Sequence, residues 1–104
     1  MRIWHIFSRA IDNYGDIAIA IRLARQLASI PENHVTLFTE ISDTLNELLP
    51  DREVEYYKFL DIDGDLSMAV PALYIINVFN TEIPKCYMSQ LSQKTKIFIY
   101  EYLS

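Results

Sequence analysis

Cysteine is almost absent from this 104-residue sequence; there is one, Cys86. A lone thiol closes no internal disulfide, so the fold must rest on its core, and the usage fits a reducing compartment. With no CxxC partner, Cys86 is expected to be a small buried hydrophobe. Glycine is scarce too, at two residues, Gly15 and Gly64. Neither a G-x-G-x-x-G loop nor a G-K-[ST] phosphate cradle can be built from them. Cations are outnumbered, 9 Lys and Arg against 14 Asp and Glu, for a net charge of −5. That balance excludes a general nucleic-acid surface, which needs clustered Lys and Arg. No apolar run approaches the ~20 residues of a membrane span, and the opening "MRIWHIFSRAID" lacks a signal peptide's apolar core and cleavage site. The expectation is a cytoplasmic protein that engages neither membrane nor nucleic acid. His5 and His34 stand apart without metal-ligand spacing, so no metal site is expected. "DIDGD" at 61–65 has its glycine at the fourth position where a calcium loop needs it at the sixth, and reads as a tight turn.

What the chain does have is apolar residues, 51% of the total, enough for a core. Ile3 to Phe7 is apolar without clean alternation, the look of a strand buried on both faces of a parallel sheet. From Asp16 the period changes: Ile17, Ile21, Ala24 and Ala28 share a helical face, with Arg22, Arg25 and Gln26 on the wet side. Asp16 stands where an N-cap would, and Pro31 closes the region after the helix. "HVTLFTE" supplies a strand at Val35 to Thr39, and "ISDTLNELLP" a short helix from Ser42 to Leu49. "EVEYYKF" is a strand whose alternation suits a sheet edge. "ALYIINVF" is a strand with one polar interruption, Asn77, and a short helix begins near Pro84. "KIFIYEYLS" is the last strand. Strands alternating with helices mean right-handed crossovers and a helix-covered parallel sheet, an α/β, Rossmann-like architecture.

In such sheets ligands bind beyond the carboxyl ends of the strands, where strand order reverses. With the order 3-2-1-4-5, that crevice lies between the first and fourth strands. The loop after the first carries Asp12, Asn13, Tyr14, Gly15 and Asp16; the loop after the fourth carries Asn80, Thr81 and Glu82. Two carboxylates would repel a phosphate. They suit a cation, and a guanidinium best, because a carboxylate grips it through two parallel hydrogen bonds.

"DNYGDI" followed by "RLARQLA" resembles the opening of the bacterial protein-arginine rhamnosyltransferases, which modify translation elongation factor P. "FNTEIP" (79–84) is similar to that family's "FGCELP", and "IYEYLS" (99–104) to its "NLEYLS". The resemblance covers all 104 residues and corresponds to the N-terminal part of a two-domain GT-B glycosyltransferase. It implies that residues 1–104 are a partial N-terminal, acceptor-side Rossmann-like domain, the C-terminal donor-binding domain being absent. It further implies transfer of L-rhamnose from TDP-L-rhamnose to an arginine of elongation factor P, with inversion and with no cofactor. Asp16 matches the family's catalytic aspartate and Asp12 its supporting carboxylate. Asn13, Tyr14, Gly15, Asn80 and Glu101 are the expected substrate-binding residues. Two readings of other classes use the same fold. One is a receiver-like signalling domain with Asp61 as phosphoacceptor; the other is a non-catalytic remnant that only binds a partner.

Overall fold

The structure is a computed structural model that describes residues 2–9, 14–39, 57–64, 66, 72–78, 82–91 and 94–100, the side chains of residues 14–17, 57–59 and 100 excepted. The first strand, β1 (Arg2–Phe7), runs into helix α1 (Tyr14–Ala28) and then β2 (Asn33–Thr39). β3 (Tyr57–Asp61), β4 (Tyr74–Val78), the four-residue helix α2 (Lys85–Met88) and β5 (Lys96–Tyr100) follow. All four strand pairings are parallel, in the order β3-β2-β1-β4-β5. The expected order, with β1 central and β3 at an edge, is the observed one. The expected helix at Ser42 to Leu49 lies outside the described residues.

Strand alternation divides the core into two layers. On one face, Ile6, Val35, Leu37, Ile76 and Val78 pack against Ala20, Ile21 and Ala24 of α1. Small alanines let the helix approach the sheet closely, and Leu23 and Leu27 flank the contact. Arg22, Arg25 and Gln26 are exposed, as the helical period requires. On the other face, Phe7, Phe38 and Ile75 pack with Ala72, Leu66, Ile62 and Tyr87. Phe7 and Phe38 stack at 4.5 Å between ring centroids. Ile6 and Phe7, neighbours in sequence on opposite faces, are each 0% exposed, the two-sided burial that the unalternating run in β1 implied. β5 is the other edge and is bare by contrast: Ile97, Phe98 and Ile99 are all exposed.

Four sequence expectations change. The helix begins at Tyr14, so Asp16 is the third residue of its first turn and not the cap. The apolar period could not reveal this, since its first apolar position, Ile17, comes after Tyr14, Gly15 and Asp16. β3 continues to Asp61 because Leu60 and Asp61 pair with Phe38 and Thr39. Cys86 is exposed: α2 buries only Tyr87, and a four-residue helix has one inward face. Ile62, within the segment read as a tight turn, is fully buried and packs into the second core layer.

α1 ends in a side-chain cap. The Asn33 amide nitrogen donates to the Leu27 carbonyl at 2.9 Å, while its oxygen accepts from Arg2 Nε at 2.8 Å. The Arg2 amide donates to the Glu32 carbonyl at 2.8 Å. Bringing Asn33 under the helix requires Glu32 to adopt a φ of 75°, the left-handed region that costs an L-residue about 1–2 kcal/mol. A polar pair buried across the core joins His5 of β1 to Tyr87 of α2, with 2.6 Å between Nδ1 and the phenol oxygen. His5 is 3% exposed. Burial lowers its pKa to about 4 and raises that of Tyr87, so at neutral pH both groups are neutral and share one hydrogen bond, whose donor is set by the imidazole tautomer.

Two outcomes follow for stability. Glu32→Gly relieves the left-handed backbone and raises unfolding free energy by about 0.5–1 kcal/mol after the added chain entropy is counted; urea titration of the two chains measures it. Because folding depresses the His5 pKa from 6.5 to about 4, the unfolded chain takes up that proton first as pH falls. His5 therefore contributes its full stability above pH 6.5 and loses it progressively down to about pH 4, a total of about 3 kcal/mol. Urea titrations at pH 7.5 and 4.5 should show the loss, and a His5→Gln chain, which cannot titrate there, should lack that part of it.

Candidate functional site

β1 bonds to β2 on one side and β4 on the other, through the pairs Ile6↔Leu37, Ile6↔Ile76 and Phe7↔Asn77. From β1 the chain moves outward to β2 and β3, then crosses back to β4. The strand order therefore reverses between β1 and β4, and the open crevice of an α/β sheet lies at the carboxyl ends of those two strands. The segments leaving both ends are the ones the sequence singled out, residues 8–13 and 79–84. Tyr14, Gly15 and Asp16 form the first turn of α1. A carboxylate in that turn is favoured by the unpaired amides and positive end of the helix dipole. Asp12, Asn13, Asn80 and Glu101 lie outside the described residues, as do the side chains of Tyr14 and Asp16. The topology thus brings the expected loops to one rim; the relative placement of their side chains is not described.

Three further features mark this rim, the first two of which sequence reasoning missed. The first is an ion pair between the loops after β1 and β3. Arg9 Nη2 lies 2.6 Å from Asp63 Oδ1 and Nη1 lies 3.2 Å from Oδ2, a two-pronged grip that crosses the end of β2. Its partners are partly exposed, at 24% and 59%, and the Arg9 guanidinium holds the Asp63 carboxyl below its ordinary pKa. Asp63 is presented by a tight turn in which its amide donates to Asp61 Oδ1 at 2.9 Å and the Gly64 amide to the Asp61 carbonyl at 3.0 Å. A side chain at Gly64 would put its Cβ 3.2 Å from that carbonyl oxygen, so the expected tight turn is present and wants its glycine. Arg9 and Asp63 are 54 residues apart, and only the strand order makes them neighbours.

The second feature is a pair of hydroxyls. Ser8 and Thr39 are 1% and 0% exposed, and among the described residues neither hydroxyl has a hydrogen-bond partner. The Ser8 amide donates to the Phe38 carbonyl at 3.0 Å, which sets Ser8 beside Thr39 at the ends of β1 and β2. A buried hydroxyl without a partner costs about 1–3 kcal/mol. The third is Asn77, nearly buried and paired with Phe7 at the carboxyl end of β4. It is the polar interruption noted in the sequence, set at the strand reversal.

The rim also bears on the receiver-like reading. A receiver ends its first strand in an acidic pair, whereas Ser8 and Arg9 stand there, and Arg9 is engaged with Asp63. Asp61 does end β3, but its carboxylate caps the following turn.

Comparison with known proteins decides between families. Residues 4–104 match the family model described as elongation factor P (EF-P) rhamnosyltransferase EarP. The chain belongs to this family. In EarP terms the match runs from within β1 through β5 and includes both loops of the crevice. Among its relatives, a protein-arginine rhamnosyltransferase of Pseudomonas aeruginosa is 29% identical over 114 residues, covering 100% of this chain and 30% of the relative. A second, from Pseudomonas putida, is 26% identical over 111 residues, covering 97% of this chain and 29% of the relative. This EarP chain therefore spans about a third or less of the length of the relatives it matches. Among the described residues no helix is long and apolar enough to cross a membrane.

Proposed function

We propose that this chain is the acceptor-side part of an inverting GT-B rhamnosyltransferase that transfers L-rhamnose from TDP-L-rhamnose to an arginine of translation elongation factor P in the cytoplasm. EarP membership supports the reaction class. The observation that supports the assignment of the site is the reversal of strand order between β1 and β4, since the sequence motifs with Asp12, Asp16 and Asn80 follow the carboxyl ends of those two strands.

An inverting transfer needs a proton acceptor beside the attacking nitrogen and a departing group on the opposite side of the anomeric carbon. Arginine resists this because its guanidinium holds its proton: the gap to an ordinary aspartate is about 9 pKa units, or about 12 kcal/mol if the proton left first. Asp16 therefore accepts the proton as the bond forms. A guanidinium nitrogen bonds to the anomeric carbon, the bond from that carbon to the TDP oxygen breaks with its electron pair going to TDP, and the N–H proton passes to the Asp16 carboxylate. Asp12 grips the remaining N–H groups and keeps the nucleophile aimed. Asn13, Tyr14, Gly15, Asn80 and Glu101 complete the acceptor side. The donor is held chiefly by residues of the longer relatives that have no counterpart in these 104.

The test is a chimera in which this chain replaces the matching segment of the Pseudomonas aeruginosa relative. It should rhamnosylate elongation factor P, and Asp16→Asn should lower transfer by about a hundredfold or more with TDP-rhamnose affinity unchanged. Near-normal transfer by that variant removes Asp16 from the role of base. Binding of elongation factor P with no transfer by the unsubstituted chimera favours the partner-binding reading instead. The 104 residues by themselves should turn over no TDP-rhamnose.

A further inference from the structure

A guanidinium already sits on this rim. Arg9, the second residue past β1, meets Asp63, the second past β3, through two contacts: 2.6 Å from Nη2 to Oδ1 and 3.2 Å from Nη1 to Oδ2. Paired hydrogen bonds of this kind match the planar fork of a guanidinium and not the point charge of an ammonium. The carboxylate is firmly presented. Ile62, its neighbour, is fully buried in the second core layer, and the Ile62 amide donates to the Thr39 carbonyl at 3.0 Å. On the other side the Gly64 amide donates to the Asp61 carbonyl, and the amide of Asp63 itself donates to Asp61 Oδ1. Held in this way, Asp63 projects from the turn with its side chain more than half exposed.

Such a pair exchanges readily. Water solvates both charges of an exposed ion pair, so opening it costs little. A guanidinium arriving from solvent can take the place of Arg9 on Asp63 and make the same two hydrogen bonds, and a net charge of −5 draws cations toward the chain. Position separates this carboxylate from the reacting centre. β2 lies between β3 and β1, so the strand that presents Asp63 stands two strand spacings, about 10 Å, from β1. The crevice opens on the far side of β1. We propose that Asp63 is a docking carboxylate for a second arginine of the acceptor protein, with Arg9 as its resident stand-in. This deepens the transferase reading above and rests on it: the acceptor presents one arginine at the β1–β4 crevice and another about 10 Å away at the end of β3. An acceptor held at both points keeps less freedom to turn about the reacting nitrogen.

In this chain the amides of Asp63 and Gly64 report the site by NMR during titration with Nα-acetylarginine amide at low salt. In Arg9→Ala they should shift with an apparent affinity about threefold tighter than in the unsubstituted chain. Asp63→Asn should abolish the shifts. The lysine analogue should bind more weakly, and the uncharged citrulline analogue should give no response. In the chimera, Asp63→Asn should raise KM for elongation factor P about threefold and Arg9→Ala should lower it by a similar factor, since one removes the site and the other its occupant. KM for TDP-rhamnose should not move in either. A KM that moves the same way in both variants marks the pair as a tie between two loops and overturns the docking role. So does an Arg9→Ala chain whose amides do not respond to the arginine probe, or respond equally to the lysine one. An unsubstituted chimera that transfers nothing overturns the transferase reading itself, whereas a silent titration overturns the docking role alone.

Discussion

The fold depends on burying β1 on both faces at once. A strand with Ile6 and Phe7 at 0% exposure on opposite sides needs a layer above, a layer below and a hydrogen-bonded strand along each edge. α1 provides the first layer, and the aromatic cluster with α2 the second. β2 and β4 provide the edges. His5 shows how strict the requirement is. A polar ring placed in the middle of this strand is kept neutral by burial and bonded to a buried partner 82 residues away in sequence. Away from β1 the demand relaxes, until at β5 three apolar residues stand open to solvent.

The same constraint creates the crevice. A parallel pair must be joined by a crossover, so every strand that pairs with β1 sends its carboxyl end to the same rim. Because β1 has neighbours on both sides, the chain must reverse direction across it. The two loops that part there have no other strand end between them. In the proposed reaction this is where a cationic acceptor meets carboxylates. At the neighbouring strand ends the Arg9 guanidinium is matched by the Asp63 carboxylate.

Much of the architecture was legible in the residues because hydrophobic pattern is a local signal. β1, β2, β4 and the wet and dry faces of α1 follow from period and composition, and the parallel sheet follows from the alternation of strands and helices, whereas its order was supposed and then found. Boundaries were less legible than the elements themselves: α1 begins at Tyr14, before the apolar period that starts at Ile17, and β3 runs on to Asp61. Cys86 failed as a core residue because composition gives the mean habit of a thiol, whereas the one inward position of α2 went to Tyr87. Within the candidate site, "DNYGD" was legible as a motif, and its resemblance to one family was upheld over residues 4–104.

By itself, then, the sequence determined the class of fold, its central strand, the helix-covered parallel sheet and the family, since each is written in short-range pattern or contiguous motif. Only the tertiary structure decided which distant residues meet. His5 with Tyr87, Arg9 with Asp63, and Asn33 with both Arg2 and the end of α1 are partners across loops and crossovers. No periodicity encodes them, because such contacts are chosen by strand order and register once the chain has closed on itself.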